Sequence, residues 1–428
     1  MKKTICLILM LFYICITLSG CFDAQEVTEW AYVYSIGIEK GTADKLRLTV
    51  QVPTMKAAKG GGQSGESQGG QGEVETITID CPSFYAGVDM INTFLSRQIN
   101  YMHTKFLVFS ESLAREGIDG YINALIRGRQ LRREIYFIVT KGSASEFLKE
   151  NKTAVSSSLT KKQENLMDQS RNTGFFSNVV YGNVLNDAKT PYSQAIAILA
   201  AVNKGGKFKE GEGTGGVPVR TGGDYYAGEL VRSGGAKVEF MGTAVFDGGK
   251  MVGELNGDET RVMMMARDEF RKGFFAIKDP NRPDSVITMN IRRQKSPKIK
   301  VFFNEDKATV DVKVFLEGDI TAVQSTFDYE SGEKKNDLES VVSSLIKSRL
   351  DKTIKKCQEL NTDVFRFGYN AAVHFATIQE WEEYNWLKNF KDAQVNSEVE
   401  FKIRRMGTML KSSEIYSASD KNDEKGGK

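Results

Sequence analysis

The sequence predicts a mixed α/β fold of the α+β class, a three-domain soluble body behind an N-terminal lipid anchor. Three observations predict it. A short apolar segment runs directly into a cysteine at position 21. Alternating apolar and polar runs then interleave with runs of helical spacing. Two glycine-heavy stretches, at residues 59–72 and 203–236, punctuate the pattern.

Lys2 and Lys3 make a short positive n-region, followed by about 15 mostly apolar residues to Leu18. That run falls short of the roughly 20 residues needed to span the hydrocarbon core but suits the h-region of a signal peptide. It ends in Leu18-Ser19-Gly20-Cys21, small residues leading straight into a thiol. An ordinary signal peptidase needs no cysteine, whereas the lipoprotein pathway attaches diacylglycerol to one. Residues 1–20 are therefore expected to be removed and Cys21 to carry lipid, with two acyl chains giving stable membrane attachment.

An N-terminal α/β domain is expected over residues 21–200. Trp30 to Ile38 is strand-like, and Leu46, Leu48, Val50 and Val52 alternate with polar neighbours as a half-buried strand does. Residues 59–72 (KGGGQSGESQGGQG) read as a disordered loop inserted between strands. Strand character returns at Val74 to Ile79, Pro82 fits the first turn of a helix running to Ser96, and Phe106 to Phe109 is a buried strand. A helix near residues 120–127 and a strand at 134–140 complete the alternation.

Residues 201–290 are expected to form a glycine-rich linker and a small β-rich middle domain, with strands around the Asp247-Gly248-Gly249 turn. A C-terminal α+β domain should cover 291–412. Val310, Val312 and Val314 mark a strand, Leu338 to Ile354 recur at helical spacing, and Val395, Val399, Phe401 and Ile403 mark a last strand. The long helix is expected over 337–360, capped by Asn336 or Asp337. The polar tail 413–428 should be disordered.

Composition narrows function by exclusion. Of 58 basic and 55 acidic residues, two lysines leave with the signal, and 56 against 55 gives a net charge of +1. Nothing in that balance asks for nucleic acid. Only Cys81 and Cys357 remain outside the signal and the lipid site, and they read as small buried residues. Two histidines, His103 and His374, are too few for a zinc centre, and neither a metal site nor a cofactor is expected. Gly211 to Gly216 matches GxGxxG in form, without the preceding strand and following helix that motif requires. Ser158-Leu-Thr-Lys161 and Tyr181-Gly-Asn183 are like two motifs of penicillin-recognising serine enzymes. The third is broken, with Pro191 in Lys189-Thr190-Pro191. No catalytic residues are assigned.

Four blocks in one order carry a family resemblance. The first is Cys21-Phe22-Asp23 with Ala31 to Lys40 (AYVYSIGIEK). The second is Ser96-Arg97, His103, Lys105 and Ser110 to Gly117 (SESLAREG), continuing through Leu125 to Arg133. The third is Gly242 to Asp247 (GTAVFD) with Lys250 to Leu255 and Glu259-Thr260. The fourth is Asp363 to Tyr369 (DVFRFGY) with Trp381, Trp386 and Gly407. Over residues 21–412 the chain resembles the Ger(x)C family, the lipoprotein C subunits of spore germinant receptors. Phe22 departs from the Trp frequent in that family, and the 59–72 insertion is particular to this chain. The resemblance implies a non-enzymatic subunit on the outer face of the spore inner membrane. It would assemble with membrane-integral A and B subunits, the germinant being sensed mainly by the membrane-spanning partner and not by direct binding here. The rival reading, a solute-binding lipoprotein of a membrane transporter, requires two doubly wound lobes around a cleft. Strand–helix alternation stops after residue 200.

Overall fold

The computed structural model describes residues 2–17, 26, 29–53, 74–128, 130–152, 159–205, 221–305, 307–325, 327–329 and 332–406. A helix covers Lys2–Thr17. Among the described residues no helix is long and apolar enough to cross a membrane. The expected lipidation site at Cys21, the expected loop at 59–72 and the expected disordered tail at 413–428 lie outside the described residues.

Fourteen strands are described: β1 (Trp30–Tyr32), β2 (Ser35–Lys40), β3 (Leu46–Pro53), β4 (Val74–Cys81), β5 (Gln98–Asn100), β6 (Phe106–Ser110), β7 (Tyr136–Lys141), β8 (Ile196–Val202), β9 (Val238–Asp247), β10 (Lys250–Leu255), β11 (Lys272–Lys278), β12 (Val286–Asn304), β13 (Lys307–Val323) and β14 (Gln394–Arg405). The main sheet has eight strands in the order β10-β9-β8-β7-β6-β2-β3-β4. Its centre, β2, β6, β7 and β8, is parallel. Helices lie between these strands in sequence, and β6 and β8 read as unbroken apolar runs because both faces are covered. The flanks β3–β4 and β9–β10 are antiparallel.

Local signals explain most elements. Ser83 Oγ accepts from Ala86 N at 3.3 Å and caps the helix Phe84–Asn92. Pro82 therefore precedes the cap instead of filling the first turn, and the helix stops four residues short of Ser96. The β9–β10 hairpin turns at Gly248, whose φ of 56° is in the region that favours glycine.

The expected domain borders at 200/201 and 290/291 both fall inside strands, β8 and β12. No separate middle sheet exists among the described residues. After the glycine-rich stretch the chain returns antiparallel to β8, from Ile196 opposite Val245 to Val202 opposite Val238, so β9 and β10 widen the first sheet. β11 and β12 begin the second sheet, ordered β11-β12-β13-β14. The strands on either side of the glycine-rich stretch are therefore neighbours in one sheet, which composition alone does not show.

The long helix covers Gly332–Glu359, starting earlier than its periodicity indicates, so Asn336 and Asp337 lie inside it and do not cap it. Leu338, Val342, Ile346, Leu350 and Ile354 recur every four residues and are buried. This helix also guards the sheet edge. Ser343 Oγ accepts from Phe401 N at 3.2 Å, and Glu339 Oε1 accepts from Ile403 N at 2.8 Å. Backbone donors of edge strand β14 are thereby occupied, which blunts pairing with another chain. Cys81 and Cys357 are buried and free, as their isolation in sequence suggested. Burial pushes both thiols up.

Candidate functional site

The motif residues of the third and fourth blocks meet where the two sheets join. Asn256 caps the helix Gly257–Ala266, accepting from Glu259 N at 2.9 Å while Glu259 Oε2 accepts from Asn256 N at 2.8 Å, a reciprocal capping box. Glu259 also takes Lys356 Nζ of the long helix at 2.7 Å. Two residues along, Arg261 is 2% exposed, held between Phe175 and Phe275 at 3.7 and 4.3 Å from the ring centroids. It donates to Thr173 O at 2.8 and 2.7 Å. Burial pushes its pKa down to about 10, against the pull of Asp258. Asp258 in turn pairs with Arg349 of the long helix.

The DVFRFGY segment is the second half of the junction. Asp363 is fully buried, and its two oxygens accept four donors: Phe365 N at 3.1 Å, Phe367 N at 3.3 Å, Gly368 N at 2.9 Å and Trp386 Nε1 at 2.8 Å. Burial pushes its carboxyl up while these donors pull it down. Gly368 is required by close approach, since a Cβ there would lie 2.1 Å from Tyr192 O. Arg366 has left-handed backbone (φ 64°), a conformation uncommon outside glycine. Its guanidinium reaches Asp187 at 3.0 Å and Glu269 at 3.4 Å. Gln194, just before β8, bonds Asp363 N at 3.0 Å and Asp247 at 2.5 Å, and Thr362 Oγ1 donates to Phe246 O at 2.9 Å. The two sheets are thus tied by buried, charge-assisted bonds. Every member holds backbone or a counter-charge, and no nucleophile faces a base.

Lys161 and Asn183 of the serine motif lie in different helices, Leu159–Thr173 and Tyr181–Lys189. Ser158 lies outside the described residues. Asn183 is spent on Val180 N at 3.3 Å, in the first turn of the helix Tyr181–Lys189. His103 is exposed beside Tyr32, with ring centroids 5.2 Å apart, and His374 packs edge-on to Phe303. Among the described residues no cluster of three metal-ligating side chains exists. A cavity of about 610 Å³ opens at the carboxyl ends of β2 and β6, where strand order reverses and open α/β sheets usually bind ligands. Lys40 and Glu116 pair with each other on its wall, which leaves these two charges balanced. Leu18, Ser19, Gly20 and Cys21 lie outside the described residues. The junction groups Arg261, Asp258, Asp187 and Gln194 were not singled out in the sequence, because their partners are up to 179 residues distant.

Comparison with known proteins agrees with this architecture. Residues 23–202 match the spore germination protein N-terminal domain, and residues 241–407 match the C-terminal domain of the spore germination B3/GerAC-like family. The chain belongs to this family of spore germinant receptor C subunits. It is 23% identical over 415 residues to the putative spore germination protein YfkR of Bacillus subtilis, covering 96% of this chain and 99% of the relative. It is also 23% identical to spore germination protein KC of Bacillus subtilis, covering 95% and 96%. The crystal structure of the GerBC protein shares the fold, with a TM-score of 0.51 and 16% identity over 86% of this chain and 96% of that one.

Proposed function

We propose that this chain is the non-enzymatic, lipid-anchored C subunit of a nutrient germinant receptor. It assembles with a membrane-integral A subunit and a transporter-like B subunit on the outer face of the spore inner membrane. The observation that carries the reading is the ordered match of both family domains over residues 23–202 and 241–407. The junction supports it, since its carboxylates and guanidiniums are engaged with one another, with backbone or with the Trp386 indole, which suits a rigid adaptor. A two-lobed solute-binding protein is disfavoured by the sheet order, because one eight-stranded sheet runs from β2 to β10 and the second sheet is largely antiparallel. In this reading Cys21 carries diacylglycerol, and the germinant is sensed by the membrane-spanning partner.

The test is Cys21→Ala in sporulating cells. Lipid labelling should vanish and much of the protein should leave the membrane fraction. A variant that stays fully membrane-bound in cells lacking the A and B subunits would contradict the anchor.

A further inference from the structure

We infer that the rim built from β1, β5 and the end of the helix Phe84–Asn92 rests on the bilayer, with Met90, Phe94 and Met102 seated in its interfacial zone. The inference rests on the lipid anchoring of Cys21 proposed above and adds an orientation to it.

Reach comes first. Trp30 lies nine positions after Cys21, so the chain between them spans at most about 30 Å however it runs. At Trp30 the chain is pinned. β1 pairs parallel with β5, Trp30 opposite Gln98 and Tyr32 opposite Asn100, and Val33 N donates to Asn100 O at 2.8 Å. The rim beside β5 is therefore held within a short tether of the lipid.

That rim is also unusually apolar for exposed surface. Outside the helix Lys2–Thr17, eleven large apolar side chains are exposed among the described residues, and four of them fall between positions 85 and 102. Phe94 is 58% exposed, Met102 39% and Met90 38%. Met90 and Phe94 stand four residues apart at the end of the helix, just before β5, and Met102 follows directly after β5. Half-buried Trp30 adds an aromatic ring of the kind enriched at membrane–water interfaces. The charges in these segments, Asp89, Arg97 and Glu29 beside Trp30, form no basic cluster, so contact would be apolar and would not require anionic lipid. Clustered exposed apolar groups otherwise mark a docking face for a partner. The tether selects the bilayer as occupant.

The experiment uses the mature lipidated chain in phosphatidylcholine vesicles doped with lipids spin-labelled near the headgroup. Phe94→Cys, Met102→Cys and, as reference, Phe274→Cys carry a bimane fluorophore. Labelling is selective because Cys81 and Cys357 are buried and Cys21 is acylated. Phe274 is 56% exposed on β11 of the second sheet. Bimane at 94 and 102 should shift to the blue and be quenched several-fold more strongly than at 274, and added salt should change neither. Quenching at 94 and 102 no stronger than at 274, with the lipid present, overturns the docking rim and leaves the anchor standing. In that outcome a protein partner is the better occupant. Absence of lipid on Cys21 overturns the anchor itself, and mass spectrometry of the same sample separates the two failures.

Discussion

Replacing Asp363 with Ala perturbs the junction at its most connected point. Four donors lose their acceptor inside a fully buried site, three of them backbone N–H groups and one the Trp386 indole. An orphaned buried donor costs about 1–3 kcal/mol. Part of that is offset, because the carboxylate's own desolvation no longer opposes folding. Breaking such a buried charged network costs roughly 3–5 kcal/mol. Unfolding entropy of about 2 cal/mol/K per residue converts this, for a chain of this length, to a Tm lower by about 4–6 °C. Trp386→Phe removes only one of the four bonds and should cost about 1–2 kcal/mol. Because the two residues share a bond, the double variant should depart from additivity by roughly 1 kcal/mol. Differential scanning calorimetry of the chain without its signal and lipid measures all four states. A Tm change under about 1 °C for Asp363→Ala, or strict additivity with Trp386→Phe, would refute the view that this carboxylate organises the junction.

Three further outcomes are expected. Asp80 accepts from Arg47 Nε at 2.7 Å and from the backbone of Thr42 and Ala43, and these bonds hold its carboxyl well below the usual range. Its contribution is therefore present above the ordinary carboxylate pKa and lost as pH falls. Asp80→Asn should lower Tm at neutral pH, and the gap to the unmodified chain should close below about pH 4; a gap constant down to acid pH would contradict the assignment. Cutting residues 60–72 to a short turn should change stability by less than about 1 kcal/mol, because loop-closure entropy varies slowly with length. A large fall in Tm would show that segment to be packed. Ser158→Ala should leave nutrient-triggered germination unchanged, and its loss with folding and assembly intact would revive an enzymatic role.

The elements legible in the sequence were those whose own periodicity carries the signal. β13 and β14 alternate in register with the sheet face they bury, and the long helix repeats its apolar positions every four residues; β3 alternates in sequence but is buried on both faces, Thr49 and Gln51 included. The β9–β10 hairpin was legible from Asp247-Gly248-Gly249. Boundaries failed where a tertiary partner decides them. Gly332 to Asn336 carry no apolar stripe, yet the helix begins there. Pairing between β8 and β9 across the glycine-rich stretch was not legible either, because no local signal shows that the two strands share a sheet. The junction was half visible: DVFRFGY and both tryptophans were singled out as a block, but nothing local reveals that Asp363 would bind Trp386 or that Arg366 would reach Asp187. Burying a carboxylate depends on long-range donors, and a single sequence does not display them.

If this chain works by assembling with membrane-integral partners, co-isolation from spores will recover them. Tagged chain, cross-linked in intact spores and purified from detergent-solubilised inner membrane, should bring down one A-type and one B-type subunit in constant ratio. Recovery should fall in the Cys21→Ala variant. Purification of the lipidated, folded chain alone, in spores that still germinate through this receptor, would contradict the account.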